Sequence, residues 1–336
     1  MKYPKPIKKS GKFYCQCGYH KGYKDLSGYR YHYRKAHGHP DRTKEKSPIQ
    51  IKVERIQESQ RPREEKLTEM YDAVREFNKS LQSISDSRSS VDFKVTSDYL
   101  LLIFISDLHY GNVNVDMDYI DKLLNFVQAT DRVYAVLNGD ILDNWVMLSP
   151  QGGIYEQSIS PEHQKDIIVN RLMPLKDKIL GLVYGNHEGR SQKSGEKNPA
   201  KVMAEELDLA YLGAGGRINL NFGKLCYKIH VRHKFRYESS FNPTHACNRL
   251  VEQLDAEADI VAIGHKHEPA TGAYYKAGKQ RTFLRFGSAM PTNSYADYLG
   301  FGKTPMVAPC VVINGKTKQH EPFLDIDIAS QFLKRI

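Results

Sequence analysis

The sequence lacks the features of a membrane-spanning chain or a disulfide-bonded scaffold. No apolar run approaches the ~18 residues that a spanning helix needs. The first nine residues, Met-Lys-Tyr-Pro-Lys-Pro-Ile-Lys-Lys, have no apolar core of the secretory kind. Cysteine is scarce, five in 336 residues, and only Cys15 and Cys17 lie close together. No disulfide framework is therefore expected. A reducing cytoplasm is the expected compartment, and no membrane partner is expected. Repeats are absent too. Over most of the chain even an excess of charge is missing: from residue 49 onward, 36 basic residues meet 36 acidic ones. What remains is ordinary for a globular protein, 40% hydrophobic and 26% charged, and long enough for a large core and two domains.

The formal charge of +10 thus sits wholly in residues 1–48, with 13 Lys and Arg against 3 Asp and Glu. A basic head on a neutral body points to an anionic partner, nucleic acid first. A solubilising tail is the plain alternative. Within the head, Tyr23 and Tyr29 are separated by five residues, Tyr29 and His32 by two, and His32 and His37 by four. With Cys15 and Cys17 ahead of them, these spacings resemble a C2H2 zinc finger. The resemblance implies a structural zinc held by Cys15, Cys17, His32 and His37, whose binding would fold the module. The chain departs from the pattern in two ways. A single residue separates the cysteines, and the gap from Cys17 to Tyr23 is long. His20 or His39 therefore stays open as a replacement ligand. On such a module Arg30, Arg34 and Lys35 would meet phosphates while Tyr31 and Tyr33 meet bases. Docking to another protein is the rival use.

Residues 41–97 read as a charged connector. Leu67, Met70, Tyr71, Val74, Phe77 and Leu81 recur at helical spacing and predict one helix over 63–84. Ser83 to Ser90 reads as a flexible joint. Residues 98–336 read as the main domain.

That domain opens on Leu100-Leu-Leu-Ile-Phe-Ile105, an apolar run suited to a strand buried on both faces. It runs directly into Ser106-Asp107-Leu108-His109. Two residues apart, Asp107 and His109 point the same way and form half of a metal site. Four similar blocks follow. Residues 132–137 end in Asn138-Gly139-Asp140, and 179–184 in Gly185-Asn186-His187-Glu188. Residues 226–232 end at His233, and 259–263 in Gly264-His265-Lys266-His267. Helical stretches at 117–129, 161–175, 199–207 and 244–257 separate them, the pattern of a layered α/β fold. Residues 286–291 read as a strand and turn, 295–302 as a surface loop, and 316–336 carry no recognisable chemistry.

Taken in order, each at the end of an apolar run, these motifs resemble the calcineurin-like metallophosphoesterase superfamily over about residues 99–314. The resemblance implies a four-layer αββα sandwich of two mixed sheets, with a dinuclear site at one edge. It implies that Asp107, His109 and His267 hold one divalent metal ion and that Asn186, His233 and His265 hold a second. Asp140 would bridge them. Manganese is favoured among Mn, Fe, Zn and Ni. Such ions provide a hydroxide nucleophile and neutralise phosphoryl charge. His187 is then the expected general acid, and Arg190 is read as a phosphate clamp. His230 and His245 compete with His233 for its place, and this chain has Lys234 where the superfamily usually has Gly. The expected activity is metal-dependent phosphoester hydrolysis, as a phosphodiesterase or nuclease on nucleic acid. A phosphatase or phosphodiesterase of small nucleotides, and a non-catalytic scaffold, are the alternatives.

Overall fold

The computed structural model describes residues 7–14, 29, 48–59, 61–82, 89–146, 149, 153–276, 278–292, 294–298, 300 and 302–336. The chain divides into two units, residues 1–85 and 86–336. Among the described residues, no helix is long and apolar enough to cross a membrane.

In the first unit, β1 (Ile7–Lys9) and β2 (Lys12–Tyr14) form an antiparallel hairpin. Its turn, Ser10-Gly11, takes positive φ at both residues (49° and 73°), as a two-residue hairpin turn requires. The expected zinc ligands Cys15, Cys17, His32 and His37, with His20 and His39, lie outside the described residues. So do residues 83–88 of the joint expected at 83–90, whose Ser90 already belongs to a strand. The connector contains two helices where one was expected: α1 (Pro48–Glu58) and α2 (Arg63–Gln82). Pro62 separates them, since it offers no N–H and restricts Arg61 before it. Arg61 instead reaches forward to the Glu69 carboxylate, 2.5 Å away.

The second unit is built on two sheets. One has five strands in the order β13-β12-β4-β5-β6: β4 is Tyr99–Ile105, β5 Val133–Asn138, β6 Ile179–Val183, β12 Cys310–Asn314 and β13 His320–Phe323. The other has six in the order β10-β11-β9-β8-β7-β3: β3 is Ser90–Lys94, β7 Gly215–Phe222, β8 Leu225–Arg232, β9 Ile260–Ile263, β10 Ala270–Lys276 and β11 Lys279–Arg285. β4, β5 and β6 run parallel, as do β8, β9 and β11, and antiparallel partners make both sheets mixed.

The period of β4 shows why its sequence is apolar throughout. Leu101, Ile103 and Ile105 face a core shared with helices, while Leu100, Leu102 and Phe104 face the other sheet. Alternate residues point to opposite faces, so a strand between two cores needs apolar residues at every position. The outer helices are α3 (Met117–Ala129), α4 (Pro161–Leu172), α6 (Pro199–Leu207) and α9 (Ile326–Arg335), with α7 (His245–Gln253) covering the six-stranded sheet. The result is the expected αββα sandwich. Between these lie α5 (Asn186–Lys193) and the short α8 (Ser294–Tyr298).

Several expectations need correction. β3 pairs in parallel with β7, so the second unit takes in residues assigned to the connector and starts before residue 98. Residues 286–291 are not a strand, because β11 ends at Arg285. There the chain instead caps the Asp107 carbonyl, through the Ser288 hydroxyl (2.8 Å) and the Ala289 amide (3.1 Å). α7 is shorter than expected, and residues 295–298 are helical. The last stretch is structural: Ile326, Ala329 and Leu333 of α9 are buried in the core.

Candidate metal centre

The site lies at the C-terminal ends of β4, β5, β6, β8 and β9, where side chains leave the sheets. Asp107, His109, Asp140, His265 and His267 all take left-handed backbone, with φ between 48° and 76°. That conformation costs a residue with a side chain on the order of 1–3 kcal/mol. The strain turns the chain sharply enough for residues two to four past a strand to converge. Glycines let the loops meet. A Cβ on Gly185 would stand 2.1 Å from an Asp140 carboxylate oxygen, and one on Gly139 2.7 Å from the His233 ring.

Two sets of donors result. In the first, His267 Nε2 lies 3.2 Å from Asp107 Oδ1 and 3.1 Å from His109 Nε2. In the second, His233 Nε2 lies 3.0 Å from Asp140 Oδ2 and 3.2 Å from Asn186 Oδ1, with His265 in the same group. The expected ligands are therefore brought together, Asn186 by its side-chain oxygen. His233 lies in this group and its competitors do not. His230 is tied to Asp255 at 2.8 Å, and His245 opens α7. A further group, His109, Asp140 and His187, overlaps both sets.

The chemistry of the donors fits divalent metal. Burial pushes the His109 ring well below its ordinary pKa and the His265 ring down to about 4, so both are neutral with lone pairs to give. Burial alone would raise the two carboxyls. His233 and His267 instead hold Asp107 down at about 2, and His233 and His187 hold Asp140 well below the usual range. Burial would lower His233, but Asp140 and Asp107 raise it to about 10. His109 Nδ1 is buried with no hydrogen-bond partner; the nearest charged oxygen is Asp143 Oδ1 at 3.8 Å.

Residues 100–287 match the family model of the calcineurin-like phosphoesterases. The chain belongs to that family. It is a metal-dependent phosphoester hydrolase, and the family fold implies divalent metal ions. No curated protein matches it in sequence. Among solved structures it is similar to a protein from Streptococcus pneumoniae TIGR4 described as a predicted phosphoesterase, at 16% identity and a TM-score of 0.33, over 68% of this chain and 99% of that one. It is similar likewise to a metallophosphoesterase from Sphaerobacter thermophilus, at 14% identity and a TM-score of 0.33, over 70% and 93%.

The phosphoesterase centre also uses residues to which the sequence reading gave no role. Glu188, fully buried, accepts hydrogen bonds from the amides of Asp140 (3.0 Å), Leu142 (3.0 Å) and Gly185 (2.8 Å). One carboxylate thus ties the β5 loop to the β6 loop. Burial and Asp140 raise its pKa to about 7. Asp143 presents its carbonyl to His187 Nδ1 at 2.6 Å, and burial lifts its carboxyl to about 7. Asn144 donates to the His187 carbonyl at 2.6 Å and to Ser191 Oγ at 3.0 Å. Asp143 and Asn144 directly follow the Asp140 block, which was the only signal available.

His187 itself is held near the centre. Its amide donates to Asp140 Oδ1 at 2.8 Å, and its Nε2 lies 3.9 Å from Asp140 Oδ2. Burial lowers its pKa to about 4. Arg190 is 8% exposed and faces the His187 ring, with its two terminal nitrogens 2.9 and 2.8 Å from Nδ1 and Nε2. Its guanidinium also covers the Trp145 ring, 4.7 Å from the centroid.

Proposed function

We propose that this phosphoesterase is a phosphodiesterase that cuts nucleic acid. In this reading Asp107, His109 and His267 hold one divalent ion and Asn186, His233 and His265 a second, with Asp140 between them and manganese favoured. When bound, such a pair supplies an activated water and neutralises phosphoryl charge. The remaining work falls to side chains. His187 keeps Nδ1–H on the Asp143 carbonyl, so only the doubly protonated ring would carry a proton at Nε2 for the leaving oxygen, and a phosphate bound beside the ring would raise it from the low value that burial sets. Arg190 and Trp145 support the ring. Because its guanidinium is engaged there, Arg190 acts as a positioning residue for His187 in this reading, and the earlier phosphate clamp is given up.

One observation carries the choice of nucleic acid: all +10 of formal charge lies in residues 1–48, outside the family match at 100–287. Recruitment and chemistry are then separable. Lys and Arg that contact phosphates release counterions, so affinity falls steeply with salt. The test measures binding to long single- and double-stranded DNA and RNA against salt. It compares the intact protein, a deletion of residues 1–48, and the double variant Cys15→Ser, Cys17→Ser. The deletion should bind more weakly with a shallower salt slope, while keeping its turnover of a small phosphodiester. The double variant should follow the deletion if zinc folds the head. Equal binding by all three would remove nucleic acid as the partner of the head and favour small nucleotides as substrates.

A further inference from the structure

The loop from β8 to α7 begins at the ligand His233 and is unlike the rest of its domain. The loop itself, residues 233–244, holds Lys234 and Arg236 against the single acid Glu238, and Arg232 at the end of β8 and Arg249 in α7 flank it. From residue 49 onward the chain as a whole is balanced, so this is a local surplus. Glu238 turns inward to Arg285, which is 2% exposed, at 2.9 Å. Its charge is therefore met by a buried cation. Arg249 is paired with Glu252 at 2.7 Å. Lys234 and Arg236 remain exposed with no carboxylate partner among the described ion pairs.

The aromatic residues of this loop are placed as deliberately as the charges. Tyr237 takes φ of +70°, which a bulky side chain rarely adopts. There its ring lies 5.0 Å from the guanidinium of Arg236 and 5.0 Å from that of Arg249. Arg236 is also fixed by Gln253 at 2.8 Å. Tyr237 thus acts as a post that orders two arginines. Phe241, four residues on, is 98% exposed. An aromatic ring fully in water, four residues along the loop from Tyr237, has no role in the core. Its flat faces match unpaired bases, which stack on aromatics whatever their identity.

We infer that the β8–α7 loop is a ledge for single-stranded nucleic acid, on which Lys234 and Arg236 take backbone phosphates and Phe241 stacks on an unpaired base. This rests on the nuclease reading and adds the strandedness of the substrate. The ledge starts at His233, so a strand lying on it runs toward the metal centre.

The test is steady-state cleavage of a short single-stranded oligonucleotide and of the same sequence as a blunt duplex, by the full chain with Mn²⁺. Phe241→Ala should raise KM on the single strand ~10-fold, the size of one lost stacking partner. Phe241→Leu, equally apolar but not flat, should behave like the alanine variant, and Phe241→Trp should restore the low KM. On the duplex the three should differ little from the parent. Arg236→Ala should weaken single-strand binding and lessen its salt dependence. A melting midpoint within a degree or so of the parent confirms that the exposed substitution left the fold intact. If the parent cleaves oligonucleotides but Phe241→Ala leaves KM unchanged, the ledge is wrong and the nuclease reading stands. An equal loss on duplex and single strand also overturns it. A parent protein that leaves every oligonucleotide intact overturns both.

Discussion

The two sheets supply opposite walls of the phosphoesterase centre, and the walls are built differently. On the five-stranded side, the loops after β5 and β6 are locked together. Glu188 holds three amides from two loops, and Asn144 holds the His187 carbonyl and Ser191. On the six-stranded side, His233 is anchored through Nδ1 to the Asn138 carbonyl at 2.9 Å, but the loop that follows opens into solvent. The first wall fixes His187 and Asp140. The second contributes ligands and then turns outward with cations and an aromatic ring. Backbone strain is found on both walls, at Asp107, His109 and Asp140 on the first and at His265 and His267 on the second, whereas the ties from side chain to amide are on the first.

If that contrast is real, substitutions on the two walls should fail in different ways. The largest effect is expected at His187. His187→Ala should keep bound metal but slow cleavage by ~10²–10⁴, the usual contribution of a positioned acid. The loss should shrink with a nitrophenolate leaving group, which needs no proton. A series of leaving groups compared by kcat reads this out, and an equal loss across the series would assign His187 to phosphate binding instead.

Next comes Glu188, which tests whether the first wall is held by one carboxylate. Glu188→Ala strands three buried amides, each costing about 1–3 kcal/mol when unpaired. Denaturant unfolding should therefore show a loss of at least about 3 kcal/mol, together with weaker metal binding. A neutral result would mean that the loops are held by other contacts. The smallest effect belongs to the opposite wall: Phe241→Ala should change stability by no more than about 0.5 kcal/mol, since the ring is exposed. A large loss there would show that the second wall is as tightly built as the first.

Much of this was legible in the sequence, for identifiable reasons. The strands that lead to the site are buried on both faces, so their apolar runs stood out, and the polar residue at each end marked the site. The helices at 117–129 and 199–207 were readable to the residue. Asp116 caps the first by accepting from the Tyr119 amide, and Asn198 and Pro199 open the second. β3 and β7 were not found. β7 alternates half-buried and buried residues, and in β3 only every second residue is even half-buried, so neither forms a continuous apolar run. The role of Glu188 was illegible too, because two of its amide partners lie 46 and 48 residues earlier. The contacts of Arg190 were only partly legible. Its place three residues after His187 on α5 puts the two on one helix face, but its other partners, Asp143 and Trp145, come from another loop.

The central claim is that one carboxylate, Asp140, serves both donor sets. Its Oδ2 lies 3.0 Å from His233 Nε2, and Asp140 groups with His233 and His265 of the second set and, separately, with His109 of the first. Elemental metal content of purified protein, for the parent and for Asp140→Asn, tests this most directly. The account predicts about two equivalents of divalent metal in the parent and a loss from both sites in the variant, because the shared negative charge is gone. Two full equivalents retained in Asp140→Asn would contradict it.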